Sequence, residues 1–345
     1  MVNVIEMLEP EPCPLWAVVA QAGVRDVVTM LDGAEQRARF VISRTGEAPV
    51  LPPLPPRGER PWDAGPLLAL KRRYADHGFN LIAVEDTAPM DAIRLGLPGR
   101  DEQISHVIDQ VQAMGECDIR LLCYNWMAVT SWARTDTAVP LRGGALGSGY
   151  DHATNASLPP LVEPGSVTED QLWEGLEYFL KAVVPVAEAA GVTLALHPDD
   201  PPLAVIRGVP RIASSVEAYR RVIRLVDSPA NSITFCQGNF TLMTDDLPSV
   251  IREFGAAQRI AFVHFRDVRG TVESFVETFH DEGKTDLAEC MRAYHEIGFT
   301  GPLRPDHVPT LVGEDNSKPG YADLGRLFAI GYIKGLREMV YGRDA

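Results

Sequence analysis

Short apolar or β-branched runs recur along the whole chain, at Val2–Met7, Asp26–Leu31, Asn80–Glu85, Ile119–Asn125, Val192–His197, Ser232–Cys236, Ile260–Arg266 and Pro302–Asp306. Their length and composition are those of buried strands. Between them apolar residues return at helical spacing over Leu67–His77, Glu102–Gly115, Glu169–Ala190, Ser215–Val226, Leu247–Phe254 and Thr285–Ile297, each long enough to cross over between parallel strands. Helix ends carry the expected punctuation: Ser166 or Thr168 stands before acidic Glu169 and Asp170, Gly191 follows Ala190, and Gly298 follows Ile297. Alternating strands and helices predict a parallel sheet, and eight such units close most simply into an α/β fold of the (β/α)8 TIM-barrel class. A doubly wound open sheet would open on a glycine-rich turn, and no GxGxxG follows a strand.

Two long connections break the rhythm, at about 32–65 with its LPPLPP and at about 133–165 with its RGGALGSG. Each follows a strand and therefore falls on the C-terminal face, where barrels build their active sites. Both are candidate lids or oligomer contacts, with a flexible polar loop as the alternative for the proline-rich stretch, and they make a homo-oligomer the expected assembly. No linker divides the chain, so residues 1–345 read as one barrel domain.

Composition narrows the function classes. With 32 Lys+Arg against 47 Asp+Glu the net charge is −15, which repels phosphate backbones and anionic membrane surfaces and argues against nucleic-acid and membrane partners. No apolar run approaches the roughly 20 residues of a bilayer span, and the opening residues are acidic, so a cytoplasmic protein is expected. The cysteines, Cys13, Cys117, Cys123, Cys236 and Cys290, are odd in number, scattered and without a CxxC pair, which is no disulfide framework.

The candidate chemistry lies at strand ends. His197 and Cys236 end two successive predicted strands, His264 lies near the end of the third, and Asp306 ends the fourth. In a closed barrel such ends converge, and imidazole, thiolate and carboxylate together suit a divalent first-row metal. A lone His or Cys at a strand end is more often packed or hydrogen-bonded; four successive ends in agreement are harder to set aside. The donor types do not choose between zinc, Mn(II) and Fe(II). A bound ion would polarise a hydroxyl or carboxylate, so the expected substrate is a small anion or polyol.

Arg266 and Arg304 stand two residues from His264 and Asp306, a spacing that puts them on the same strand face. They are candidates for binding an anionic substrate, with salt bridges to Asp199, Asp200 or Asp267 as the alternative. His307 is a candidate general acid or base, or else a support for the metal site. Tyr321, at the start of the last predicted helix, is placed to donate to a leaving hydroxyl or to pack. His77, His106 and His295 gain no role from position, and His280 stays undecided because its loop follows the His264 strand.

ALHPDDPP (195–202), VPRI (209–212), LVDSPANSITFCQGN (225–239), FVHFRDV (262–268), LRPDH (303–307) and KPGYADLGRL (318–327) together resemble the D-mannonate dehydratase family of the xylose-isomerase-like barrels. The likeness continues through GVRDVVTML (23–31), CYNWMAV (123–129) and WARTD (132–136). It implies dehydration of D-mannonate to 2-keto-3-deoxy-D-gluconate, with Mn2+ or Fe2+ bound by the residues matching His197, Cys236, His264 and Asp306. It also implies that His307 and Tyr321 lie near substrate, where they are assigned as the acid–base pair, and that Asn125 and Arg134 are polar groups around the mouth. The chain departs from the family pattern in VNVIEMLEPEP (2–12), in MLDGAEQ (30–36) where a His-His pair is usual, in Asn239, and in HVP (307–309). These departures leave open a metal-dependent dehydratase, isomerase or epimerase for another sugar or sugar acid, and, as a third reading, a sugar-acid-binding protein that is not an enzyme.

Overall fold

A computed structural model describes residues 1–31 and 54–342. One parallel sheet holds the segments Asn3–Val4, Glu6–Met7, Asp26–Thr29, Asn80–Val84, Leu121–Asn125, Thr193–His197, Asn231–Cys236, Ile260–Phe265 and Pro302–Pro305. The first two are a single run broken at Ile5. Asn3–Val4 pairs with Pro302–Leu303 on one side, Glu6–Met7 pairs with Val27–Val28 on the other, and the Ile5 N–H donates to Leu303 O at 2.9 Å. The sheet thus closes on itself as a (β/α)8 barrel, with each predicted strand found in place.

Alternation along each strand sorts residues between two cores. Ile5, Val28, Ala83, Leu121, Cys123, Ala195 and Phe262 form a small buried cluster that fills the barrel interior. Residues of the opposite phase, such as Leu194, Leu196, Ile233, Phe235, Val263 and Leu303, join the larger cluster between strands and helices. The helix Glu169–Ala190 shows why the elements start and stop where they do. Thr168 Oγ1 accepts from the Gln171 N–H while Gln171 Oε1 accepts from the Thr168 N–H, a reciprocal cap, and Gly191 ends the helix in the left-handed region at φ 65°.

The connection at 133–165 carries structure that the strand and helix patterns did not reveal. Asp136–Pro140 and Leu146–Asp151 form a hairpin that pairs with the hairpin Val268–Gly270 and Ser274–Glu277, making a separate four-stranded antiparallel sheet. Glycine permits the pairing, because a Cβ on Gly147 would lie 2.6 Å from Glu277 O. Of the insertion expected at 32–65, and of MLDGAEQ, the part from 32 to 53 lies outside the described residues. Among the described residues no helix is long and apolar enough to cross a membrane.

Candidate metal centre and active site

The four strand-end residues meet. One ligand-type atom from each of His197, Cys236, His264 and Asp306 lies within 4.8 Å of all the others. Cys236, His264 and Asp306 are buried and His197 is half-buried. The His197 and His264 ring centroids are 4.9 Å apart, Cys236 Sγ is 3.9 Å from Asp306 Oδ2, and His264 Nδ1 is 3.7 Å from the same oxygen. His197 Nδ1 lies 2.7 Å from Pro198 O, and since a carbonyl only accepts, Nδ1 carries the proton and Nε2 keeps its lone pair. Burial also pushes the His197 pKa down, which favours the neutral, ligating form. Neither ring nitrogen of His264 has a hydrogen-bond partner, although the ring is buried. Buried polar atoms are rarely left so; Nε2 has Glu85 Oε2 at 3.4 Å as its nearest acceptor, while Nδ1 faces Asp306 in the donor cluster, where a cation would satisfy it. The residues present therefore fit a divalent ion.

Charged groups surround the cluster. Arg304 donates through Nη1 to Asp306 Oδ1 at 2.9 Å and through Nε and Nη2 to the two Glu85 oxygens at 3.1 and 2.9 Å. Arg266 donates through Nε to Asp306 Oδ2 at 3.0 Å, through Nη2 to Asp200 Oδ2 at 2.9 Å and through Nη1 to Glu277 Oε1 at 3.1 Å. Burial alone would raise the Asp306 carboxyl, but His307, Arg304, His264 and Arg266 together hold it well below the usual carboxylate range.

Beside this lies the histidine that follows Asp306. His307 Nδ1 hydrogen-bonds Glu277 Oε1, so Nδ1 carries the proton, and Nε2 stands 3.1 Å from the Tyr321 hydroxyl. Glu277 also accepts from Ser148 Oγ and, at 2.5 Å, from Arg134 Nη2. Arg134 completes the group with paired bonds to Asp200 at 2.7 and 2.9 Å. Trp132 packs against the His307 ring with centroids 5.3 Å apart. The separate antiparallel sheet thus supplies Ser148 and Glu277 to one side of His307, and the loop before the last helix supplies Tyr321 to the other.

A family model described as D-mannonate dehydratase (UxuA) matches residues 19–163 and 161–343. The chain belongs to the D-mannonate dehydratase family. Mannonate dehydratase 2 of Halalkalibacterium halodurans is 35% identical over 305 residues, covering 81% of this chain and 88% of the relative. The mannonate dehydratase of Thermotoga maritima is 36% identical over 313 residues, covering 81% and 86%. The crystal structure of mannonate dehydratase from Streptococcus suis serotype 2 superposes with a TM-score of 0.85 at 28% identity, over 98% of this chain and 93% of that one. A D-psicose 3-epimerase of Clostridium cellulolyticum H10, 14% identical with a TM-score of 0.59 over 98% of this chain and 99% of that one, shares the fold.

In this member of the mannonate dehydratase family the remaining site residues fall as follows. Asn125 ends its strand in register with His197, and its Oδ1 accepts from the Met127 N–H at 3.1 Å and from Arg94 Nη2 at 3.3 Å. Arg266 and Arg304 lie on the expected strand face but are buried and turned to carboxylates. Of the three acids weighed as partners, Asp200 is the one that meets Arg266. Asp199 instead pairs with Arg211 and the Ala213 N–H, and Asp267 accepts from the backbone of Val268 and Thr285. His280 proves to be a core residue: its Nε2 donates to Phe265 O at 2.7 Å. Sequence reasoning passed over Glu85 and Glu277. Glu85 ends a predicted strand as His197 does, which was a usable signal; nothing local marks Glu277.

Proposed function

We propose that this chain removes water from D-mannonate to give 2-keto-3-deoxy-D-gluconate, as a hydro-lyase with a divalent Mn or Fe ion held by His197, Cys236, His264 and Asp306. The observation that carries the reading is the convergence of those four donors, with His264 Nδ1 unsatisfied, directly beside the His307–Tyr321 pair. A bound ion would supply Lewis acidity, polarising substrate oxygens and stabilising negative charge. The residues supply the proton transfers. The C2 proton must leave to a base, hydroxide must leave from C3 with a proton from an acid, and the resulting enol takes a proton at C3 as its hydroxyl becomes the ketone. His307 Nε2, with its free lone pair, and the Tyr321 hydroxyl are the two atoms at hand to take and give a proton, with Glu277 orienting the imidazole from behind.

Burial, with a smaller push from Asp306, drives the Tyr321 hydroxyl far above the ordinary phenol range, so it stays protonated and suits the acid that meets the leaving hydroxide. Arg134, Arg266 and Arg304 act in this reading by fixing Asp200, Asp306, Glu85 and Glu277. Asn125 and Trp132 line the approach for a small anionic sugar acid. A cytoplasmic homo-oligomer is part of the same proposal.

The test is turnover of D-mannonate by protein loaded with Mn(II), read as keto-deoxy acid formation, beside metal-stripped protein. Metal-dependent product is expected. No product from protein that binds the ion would overturn the substrate, and a panel of other sugar acids would then find its replacement. His307→Asn is expected to keep the metal and lose turnover; loss of both would make His307 a support of the centre.

A further inference from the structure

Glu85 stands outside the four-donor set yet touches one of its members, His264, and is joined to a second, Asp306, through Arg304. Its Oε2 is 3.4 Å from His264 Nε2, while Arg304 grips both its oxygens and also donates to Asp306 Oδ1. Asp306 Oδ2 in turn faces His264 Nδ1 at 3.7 Å. The contacts form a closed ring: Glu85, Arg304, Asp306, His264 and back to Glu85. Within it the two nitrogens of His264 are distinguished, since Nδ1 faces the donor cluster and Nε2 faces a carboxylate.

We propose that Glu85 is the positioning residue of the metal centre, taking the Nε2–H of His264 so that Nδ1 is presented to the ion, and setting Asp306 through Arg304. The proposal rests on the metal reading given above. Carboxylates that accept the distal N–H of a ligating histidine fix its ring orientation and raise its basicity. Glu85 is held for this by Arg304, which donates to both its oxygens at 3.1 and 2.9 Å.

The rival assignment is that Glu85 is itself a ligand, since Glu85, Cys123 and His264 also bring three ligand-type atoms within 4.8 Å. Two facts weigh against it. Both Glu85 oxygens are engaged by Arg304. Cys123 Sγ accepts from Thr234 Oγ1 at 3.2 Å and packs in the apolar barrel core. Cys236 Sγ, by contrast, accepts from Asn239 Nδ2 at 3.3 Å beside the other three donors.

The experiment is Co(II) binding by the full chain, with the dissociation constant from competition against a chromophoric chelator and the thiolate-to-cobalt band read in the near ultraviolet. Glu85→Gln is expected to weaken Co(II) by about 10- to 100-fold while keeping one ion per chain and the thiolate band. Cys123→Ser is expected to leave both unchanged, and Cys236→Ser to abolish the band. Glu85→Asp, which keeps the charge opposite Arg304, is expected to fall between wild type and Glu85→Gln, and it decides the matter if Glu85→Gln does not fold by circular dichroism. Binding within about twofold of wild type in the folded Glu85 variant would overturn the positioning role. Loss of the band in Cys123→Ser would overturn it in favour of the rival ligand set. Unchanged binding in both Cys236→Ser and Asp306→Asn would instead defeat the underlying metal reading, a result distinct from either.

Discussion

Replacing Glu277 by glutamine tests whether the separate antiparallel sheet is part of the catalytic apparatus. Glu277 accepts from His307 Nδ1, Arg134 Nη2, Arg266 Nη1 and Ser148 Oγ. Although burial would raise its pKa, Arg134 and His307 outweigh that and hold it well below the carboxylate range, so it is ionised wherever the enzyme can be assayed. Glutamine keeps the shape and removes the charge. His307 must carry a positive charge once it has taken a proton, and the opposing carboxylate is what stabilises it. At an effective dielectric of about 20 and a separation of about 4 Å, one such pair is worth about 4 kcal/mol, or roughly a thousandfold in rate. The expectation is therefore a kcat lowered by two to three orders of magnitude, with metal content and KM changed far less. Steady-state formation of the keto-deoxy acid measures the first and third, and elemental analysis of the purified variant the second. Ser148→Ala, which removes one donor to the same carboxylate, should cost about tenfold or less. A kcat for the glutamine variant within about threefold of wild type, at full metal occupancy, would refute the role assigned to Glu277.

Three further expectations follow from other parts of the molecule. Burial lowers the His280 pKa to about 4, below its unfolded value of about 6.5, so the unfolded chain takes up a proton first as the pH falls; stability should be full above about pH 6.5 and decline toward about pH 4, losing about 2 kcal/mol from this group by about pH 5, as urea unfolding of wild type against His280→Gln would show. Gly238→Ala would place a Cβ 2.4 Å from Arg266 Nη1, a guanidinium already fixed by Asp306, Asp200 and Glu277, and should cost about 1–3 kcal/mol together with metal affinity. Thr168→Ala removes the cap of the helix Glu169–Ala190, far from the chemistry, and should cost about 1 kcal/mol in thermal or urea unfolding with kcat unchanged.

The barrel was legible because its strands are short apolar runs between helices long enough for crossovers, and closure follows from their number. The break at Ile5 was not, because it reflects how one run serves two neighbours in different register. His197, Cys236, His264 and Asp306 could be grouped from sequence because each sits at a strand end, where the barrel converts position along the chain into position around an axis. Arg266 and Arg304 were placed on the right face for the same reason, but a strand's own alternation says nothing about which carboxylates arrive from other elements. Glu277 is the extreme case. It meets Ser148 across 129 residues of sequence, through two hairpins whose short strands carry no strong periodic signal.

Asp306 links the two halves of the site. Its Oδ1 accepts from Arg304, which holds Glu85 and so bears on His264; its Oδ2 accepts from Arg266, which holds Asp200 and Glu277 and so bears on His307. One carboxylate therefore joins the candidate metal cluster to the candidate proton-transfer pair, through arginines too buried for water to screen. Charge removed at Glu85 shifts the balance on Asp306 from one side, and charge removed at Glu277 shifts it from the other. Groups that share a partner in this way do not add. The double variant Glu85→Gln/Glu277→Gln should accordingly lose less in log(kcat/KM) than the sum of its single variants, because each substitution alone already loosens the carboxylate that both depend on. Strict additivity would mean that the two arginines insulate the halves from each other, and that metal binding and proton transfer are tuned independently despite sharing Asp306.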